Sequence, residues 1–135
     1  MSLDRFLAAQ QDVYPVALAE LRAGEKRSHW MWFVFPQIAG LGHSAMAARY
    51  AIADLGEARR YLAHPVLGSR YAESVAALMR HRDRPATAIL GTIDAIKLCS
   101  SLTLFDRAGA PPGVAAALRA FFPAPDAATL RLIDG

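Results

Sequence analysis

Two short stretches of the chain carry polar side chains at spacings that could perform chemistry. In the first, Asp94, Lys97 and Ser101 are three and four residues apart, which places them on one face of a helix. A carboxylate, an ammonium and a hydroxyl on one face can bind an anionic or sugar-like ligand, or transfer protons where burial shifts their pKa values. The same spacing also suits an ordinary helical ion pair, which stabilises by only about 0.2–0.5 kcal/mol, and spacing alone favours that simpler interpretation.

The second stretch is an apolar segment with polar residues at both ends. Six consecutive apolar residues, Trp30 to Phe35, form what we call the aromatic run. Lys26, Arg27 and His29 precede it, and Gln37 follows it. No face of such a segment suits water in either a helix or a strand, so we expect its side chains to be buried. Polar groups at the edge of a core need partners there, and His29 could act as a base or simply satisfy a backbone carbonyl.

We expect His29, Asp94 and Lys97 to meet at the edge of the aromatic run, because each is a polar residue in an otherwise apolar part of its helix. The imidazole should then have a partner within hydrogen-bond reach, about 2.6–3.2 Å. An open cleft beside these groups would indicate an enzyme or a binding site. A core polar network would need only that its members satisfy one another.

Composition argues against several other kinds of site. No two of the four histidines have a metal-ligand spacing, and Cys99 is the single cysteine, so we expect no metal site and no disulfide. The sequence contains no glycine-rich phosphate loop and no dinucleotide-binding fingerprint, and we expect no cofactor.

Net charge and hydropathy limit the classes of partner and the cellular location that the sequence predicts. The formal net charge is +3, but the basic residues are spread along the chain, so nucleic-acid binding is not indicated. The first residues lack the apolar core of a signal peptide, and no run approaches the roughly 20 apolar residues of a membrane span. We therefore expect a cytoplasmic protein without a membrane segment.

The elements that position these residues are predicted to be helices. Apolar residues recur at three- and four-residue spacings along most of the chain, and no segment alternates with the period of a strand. No linker or repeat divides the sequence. Residues 1–135 should therefore form a single compact, multi-helical all-α domain of about six to eight helices.

The first helix should begin after Ser2 and end at Gly24. Pro15 should kink or break it, because proline removes a backbone donor and crowds the preceding turn. Gln10 is a polar residue in the apolar stripe of this helix, and it is expected at the edge of the stripe or bonded to a neighbouring backbone group.

Ser28 should cap a short helix through the aromatic run, which Pro36 would end. Ser44 should cap a helix that extends to about Ala53. Asp54 should cap the next helix, with Glu57 three residues later completing a capping box.

A later helix should begin at Pro85 and continue without a break to Phe105. Its apolar face should contain Ile89, Ile93 and Ile96, on the side away from the polar residues described above.

Four segments of the sequence, taken together, resemble the bacterial domain-of-unknown-function family 1810. They are residues 26–37, 41–44 and 61–68, and residues 94–97 together with 100–105. The resemblance extends nearly end to end and implies an all-helical fold. Ala95 and Leu102 stand where the family pattern has an acidic residue and a methionine, and Ala95 weakens any scheme that needs two adjacent carboxylates. Members are sometimes labelled calpastatin, a long disordered inhibitor, which a short apolar globular chain does not resemble.

The resemblance implies that the polar motif residues converge beside the aromatic run: Lys26, His29, Gln37, Asp94, Lys97 and Ser101. One hypothesis is a site that binds or processes a nucleotide or a sugar phosphate. The cations Lys26, Arg27 and Lys97 would bind anionic groups, and Asp94 or His29 would transfer protons.

In the same hypothesis Trp30 or Trp32 would stack on the ligand, and Gln37 and Ser101 would be among the residues that bind it. The alternative hypothesis is a non-enzymatic interaction module, such as a homodimer, in which the polar motif residues have a structural role. A solvent-accessible pocket lined by these side chains would separate the two.

Overall fold

The fold is all-α, as the sequence predicts. The structure is a computed structural model that describes residues 2–134, and in that range it contains nine helices, one more than the upper end of the predicted number. In chain order they are α1 (Asp4–Ala23), α2 (Met31–Val34), α3 (Ala45–Arg49), α4 (Leu55–Ala63), α5 (Leu67–Met79), α6 (Ala86–Leu90), α7 (Thr92–Arg107), α8 (Pro112–Phe121) and α9 (Ala127–Asp134). Extended pairing within residues 2–134 is limited to one isolated parallel bridge, between Ile38 and Ile52.

The aromatic run lies in the core, between α1, α5 and the helices packed on them. Trp30 and Phe35 are fully buried and Phe33 is 6% exposed, so the predicted burial is confirmed at these positions. The Phe35 ring meets Tyr71 of α5 edge-on with centroids 5.7 Å apart, and Tyr71 packs on Phe105 of α7 at 4.4 Å. Helices distant in the sequence are thus joined through one set of aromatic contacts.

Helix α1 continues through Pro15, so of the predicted kink or break the break does not occur. Pro15 and Gln11, whose carbonyl loses its helical partner, are both exposed, so water can bond that carbonyl. Gly24 ends the helix in the left-handed conformation, with φ 75°, as predicted.

The predicted single helix from Pro85 to Phe105 is two helices, α6 and α7, separated at Gly91. Gly91 has φ 88° and ψ 164°, a backbone conformation that is essentially restricted to glycine. Ile93 and Ile96 of α7 are 72% and 60% exposed, so they do not share a buried face with Ile89 of α6, which is 2% exposed.

Two of the predicted helix caps are present. The Ala47 amide donates to Ser44 Oγ at 3.1 Å, although α3 ends at Arg49 and not near Ala53. The Glu57 amide donates to Asp54 Oδ1 at 2.8 Å.

Ser28 does not cap α2, which begins only at Met31. The Ser28 hydroxyl donates instead to the carboxylate of Glu20 at 2.6 Å. Glu20 of α1 therefore binds the hydroxyl that the local sequence pattern predicts to be a helix cap.

Candidate functional site

Three of the predicted residues form a charged cluster at the start of α7. Lys26 Nζ lies 2.9 Å from Asp94 Oδ2, and Lys97 Nζ lies 3.7 Å from Asp94 Oδ1. The side chains of Lys26, Asp94 and Lys97 are 9%, 19% and 23% exposed. Two ammonium groups share one carboxylate, so this charged cluster carries a surplus positive charge at the edge of the core.

The elements that hold the charged cluster are the loop after α1 and the first turns of α7. The Lys26 amide donates to the Ile89 carbonyl of α6 at 2.8 Å, which ties the loop to the α6–α7 segment. Asp94 lies in the first turn of α7, where the helix dipole favours a carboxylate. Lys97 follows one turn later, at the i+3 position that the spacing predicts.

Both lysines of the chain face indole rings of the aromatic run. Lys26 Nζ is 5.2 Å from the centroid of the Trp30 ring, and Lys97 Nζ is 4.5 Å from that of Trp32. Such contacts are attractive by about 0.5–1 kcal/mol at partly exposed sites. The charged cluster therefore lies directly against the aromatic run.

Trp32 is the half-buried member of the aromatic run, and it forms part of the wall of a cavity of about 240 Å³. Gln37 and Tyr50 also line this space, which we call the Trp32 cavity. The structure thus places predicted residues in two groups linked by Trp32: the charged cluster, whose Lys97 faces the Trp32 ring, and Gln37, which lines the same cavity as Trp32.

The remaining predicted residues lie outside this arrangement. His29 is exposed and forms no hydrogen bond or ion pair with any residue in 2–134, so the expected partner for its imidazole is absent from that range. Arg27 extends into solvent beside Glu25, with its guanidinium 3.2 Å from the carboxylate. Trp30 is fully buried, so its ring has no face open to a ligand.

Ser101 is also fully buried, and its hydroxyl is 2.9 Å from the hydroxyl of Tyr71. It lies two turns beyond Asp94, where α7 is covered by α4 and α8. Ser101 therefore does not join the charged cluster although it has the helical spacing to do so, because α7 passes from the surface at Asp94 into the core at Ser101. Burial raises the pKa of the Tyr71 hydroxyl further above its ordinary value, which suits a structural pair.

Glu20 is a residue of the site that the sequence reasoning missed. Its carboxylate accepts hydrogen bonds from the Arg27 amide at 2.8 Å, the Ser28 amide at 3.0 Å, the Ser28 hydroxyl, and Trp30 Nε1 at 2.8 Å. Partial burial raises the pKa of Glu20, but these hydrogen bonds outweigh it and hold the pKa at about 2. The sequence contained only a weak indication of this role. A carboxylate in the last turns of a helix is unfavourable next to the helix dipole, so its position suggested no more than that it needs other partners.

Within residues 2–134, no group of three or more His, Cys, Asp or Glu side chains is arranged to hold a metal ion. None of the helices described in that range is long and apolar enough to cross a membrane.

The fold is similar to that of a crystal structure described as the conserved hypothetical protein Rv1873 from Mycobacterium tuberculosis. The TM-score is 0.96 at 45% sequence identity, over 98% of this chain and 96% of that chain. No curated protein matches the sequence. The family described as "Protein of unknown function (DUF1810)" matches residues 1–133, and the chain therefore belongs to that bacterial family, as the motifs predict.

Proposed function

We propose that the protein binds a small anionic ligand of the nucleotide or sugar-phosphate class at the charged cluster. The observation that carries the proposal is the state of Lys97. Its ammonium is 3.7 Å from Asp94, beyond the 2.7–2.9 Å typical of a charge-assisted hydrogen bond, so its donors are not committed to that carboxylate. It is also partly exposed, and it lies 4.5 Å from the ring centroid of Trp32, which lines the Trp32 cavity.

In this proposal the members of the charged cluster have different roles. Asp94 holds both ammonium groups in place and offsets part of their mutual repulsion. Lys26, closer to Asp94 and more buried, supplies positive potential, and Lys97 contacts the ligand. Arg27, exposed on the same loop, adds long-range attraction for an anion.

The arrangement supports binding more directly than it supports a reaction. Both oxygens of Asp94 face an ammonium group, so this carboxylate already has two charged partners. His29 has a solvent-accessible imidazole, and in the enzymatic form of the proposal it or Asp94 transfers the proton. Substitution of His29 should then abolish turnover while leaving ligand affinity within about twofold of wild type.

The test is ligand-induced thermal stabilisation over a panel of nucleotides, ADP-ribose derivatives and sugar phosphates. A ligand at one hundred times its dissociation constant should stabilise the wild type by about 2.7 kcal/mol. Lys97→Ala should weaken binding by about tenfold or more, because it removes a partly desolvated charge-assisted contact.

Arg107→Ala is the matched control, since Arg107 is an exposed cation in the last turn of the same helix. It should leave the affinity unchanged. The proposal is wrong if no compound on the panel stabilises the wild type, or if Arg107→Ala weakens binding as much as Lys97→Ala does.

A second candidate function is a non-enzymatic interaction module, and the exposed isoleucines of α7 are the observation that favours it. Ile93 and Ile96 lie one turn apart beside the charged cluster. Asp94 and Lys97 give the same surface charges of both signs, so a two-fold contact between copies could pair them. Two isoleucines are a small part of the roughly 1,000 Å² that a specific interface buries, which is why ligand binding is the better-supported function.

A further inference from the structure

We infer that the Trp32 cavity binds a flat heterocyclic ring that presents a hydrogen-bond donor and an acceptor side by side, as nucleobases and nicotinamide do. The inference rests on the proposed function, because it assigns the ring of the ligand to one side of Trp32 and the phosphate to the other. Four features of the cavity lead to it.

The first feature is the side chain of Gln37. It is half-buried at the cavity wall, yet its amide forms no hydrogen bond with any residue in the described part of the chain. The backbone around it is held firmly, because the Ile52 amide donates to the Gln37 carbonyl and the Ala39 amide donates to the Ile52 carbonyl, each at 2.8 Å. An amide with an unused donor and acceptor, carried on a fixed backbone at the cavity wall, matches a ring edge that carries the complementary pair.

The second feature is that the cavity has aromatic walls. Trp32 and Tyr50 both line it, and the Tyr50 ring is fixed by Phe33, at 5.3 Å between centroids, and by Phe6, at 6.0 Å. Aromatic rings provide flat surfaces on which a heterocycle stacks whatever its substituents. A flexible aliphatic ligand would not need them.

The third feature is that the rest of the cavity wall is made mostly of small residues held close to their neighbours. A β-carbon added at Gly42 would come within 2.6 Å of the Ala47 side chain, so the loop approaches α3 as closely as only glycine allows. Arg5 holds the opposite segment, donating to the Arg49 carbonyl at 3.0 Å and the Ala51 carbonyl at 2.8 Å. A cavity preformed in this way loses little entropy when it binds a rigid ring.

The fourth feature is size. Cavities that enclose a whole drug-sized ligand measure roughly 300–1,000 Å³, and the Trp32 cavity, at about 240 Å³, lies just below that range. It therefore suits one ring system, with the rest of the ligand extending outside. Lys97, whose ammonium is 4.5 Å from the Trp32 ring, is placed to meet a phosphate on that outer portion.

A larger cavity of about 290 Å³ between α4, α5 and α8 does not offer the same recognition. Its lining is apolar apart from Tyr71, whose hydroxyl is already bonded to Ser101. It has no side chain available to select a donor and acceptor pair. Of these two cavities, the Trp32 cavity is the one that can recognise the ring.

The experiment compares three kinds of ligand by isothermal titration calorimetry. They are the four common nucleoside 5′-monophosphates with nicotinamide mononucleotide, the corresponding nucleosides, and ribose 5-phosphate, which lacks a ring. At least one nucleotide should bind tenfold or more tightly than ribose 5-phosphate. Gln37→Ala and Trp32→Leu should reduce that preference to within about threefold, whereas Trp32→Phe, which keeps a flat wall, should retain most of it.

Gln11→Ala, at an exposed glutamine of α1, is the matched control and should leave the preference intact. The inference is overturned if ribose 5-phosphate binds as tightly as every nucleotide, or if Gln37→Ala and Trp32→Leu both leave the preference unchanged. It is also overturned if neither a nucleotide nor a nucleoside binds. Nucleoside binding that is weakened by Gln37→Ala but not by Lys97→Ala, with no gain from the phosphate, would support the ring site and refute the phosphate site.

Discussion

At the scale of single residues, Glu20 determines how the loop after α1 enters the core. Four hydrogen bonds converge on its carboxylate from residues 27–30, so one side chain of α1 sets the path by which the chain enters the aromatic run. Trp30, which donates one of these bonds, is fully buried. Lys26 precedes the same segment, and its placement against Asp94 depends on that path.

The depressed pKa of Glu20 predicts how stability changes with pH. The pKa is about 2 in the folded protein against an ordinary 4.5, so the ionised carboxylate stabilises the fold above about pH 4.5, and this contribution is lost as the pH falls towards 2. Glu20→Gln should therefore be less stable than wild type at pH 6, and the difference in unfolding free energy should shrink as the pH falls to 3. Urea denaturation at several pH values measures it.

Glu25→Gln provides the control for this prediction, since it removes the same charge from an exposed position nearby. Its stability relative to wild type should change little over the same range of pH. A Glu20→Gln difference that stays constant from pH 6 to pH 3 would contradict the assignment.

At the scale of elements, the break at Gly91 separates α7 from α6, and the charged cluster lies at the start of α7. Asp94 and Lys97 lie in the first turns after the break, partly exposed, whereas residues from Leu98 onward on the inner face enter the core. Gln10 likewise joins two elements, because its side-chain amide on α1 donates to the Phe33 carbonyl of α2 at 2.6 Å. This confirms the prediction that Gln10 is bonded to a backbone group.

We predict that Gly91→Ala lowers the unfolding free energy by about 1–3 kcal/mol. Apart from Gly91 itself and its two chain neighbours, no atom of the described residues lies within 4 Å of a β-carbon built at Gly91, so the cost is conformational and not steric. It arises from φ 88° and ψ 164°, which alanine adopts only with strain. Chemical denaturation measures the change.

Gly113→Ala is the comparison, because Gly113 lies in the first turn of α8, where a β-carbon would meet the same open space but the backbone has no positive φ. That substitution should be neutral or stabilising by up to about 1 kcal/mol. Equal destabilisation by both substitutions would show that the conformation of Gly91 is not the cause.

At the scale of the whole molecule, the distribution of apolar surface bears on self-association. Ile93 and Ile96 are the most exposed of the large hydrophobic side chains in residues 2–134, and the others lie on different elements. Isolated exposed apolar residues are ordinary on soluble domains, and a specific interface needs a larger continuous patch.

We therefore expect the protein to sediment as a monomer at about 10 μM, and Ile93→Asp combined with Ile96→Asp to leave the sedimentation coefficient unchanged. Analytical ultracentrifugation over a range of concentrations tests this. A wild-type dimer that the double substitution dissociates would favour the interaction module over the ligand site.

Much of the fold follows from local patterns. Helical spacing predicted an all-α domain, and the unbroken apolar character of the aromatic run predicted its burial. The caps at Ser44 and Asp54 and the contact between Asp94 and Lys97 also follow from spacing, because each depends on residues within one or two turns of each other. Interactions of this range are contained in the sequence order itself.

The composition of the site was decided by tertiary packing. Lys26 meets Asp94, and Glu20 orders the loop that follows Lys26, through contacts that helix packing creates and no spacing encodes. Ser101 shares the helical face of Asp94, yet it lies in the core because neighbouring helices cover that part of α7. The sequence alone determined which residues share a helical face. Helices far apart in the chain bury their apolar surfaces together, and this packing decided which faces meet and which remain open to a ligand.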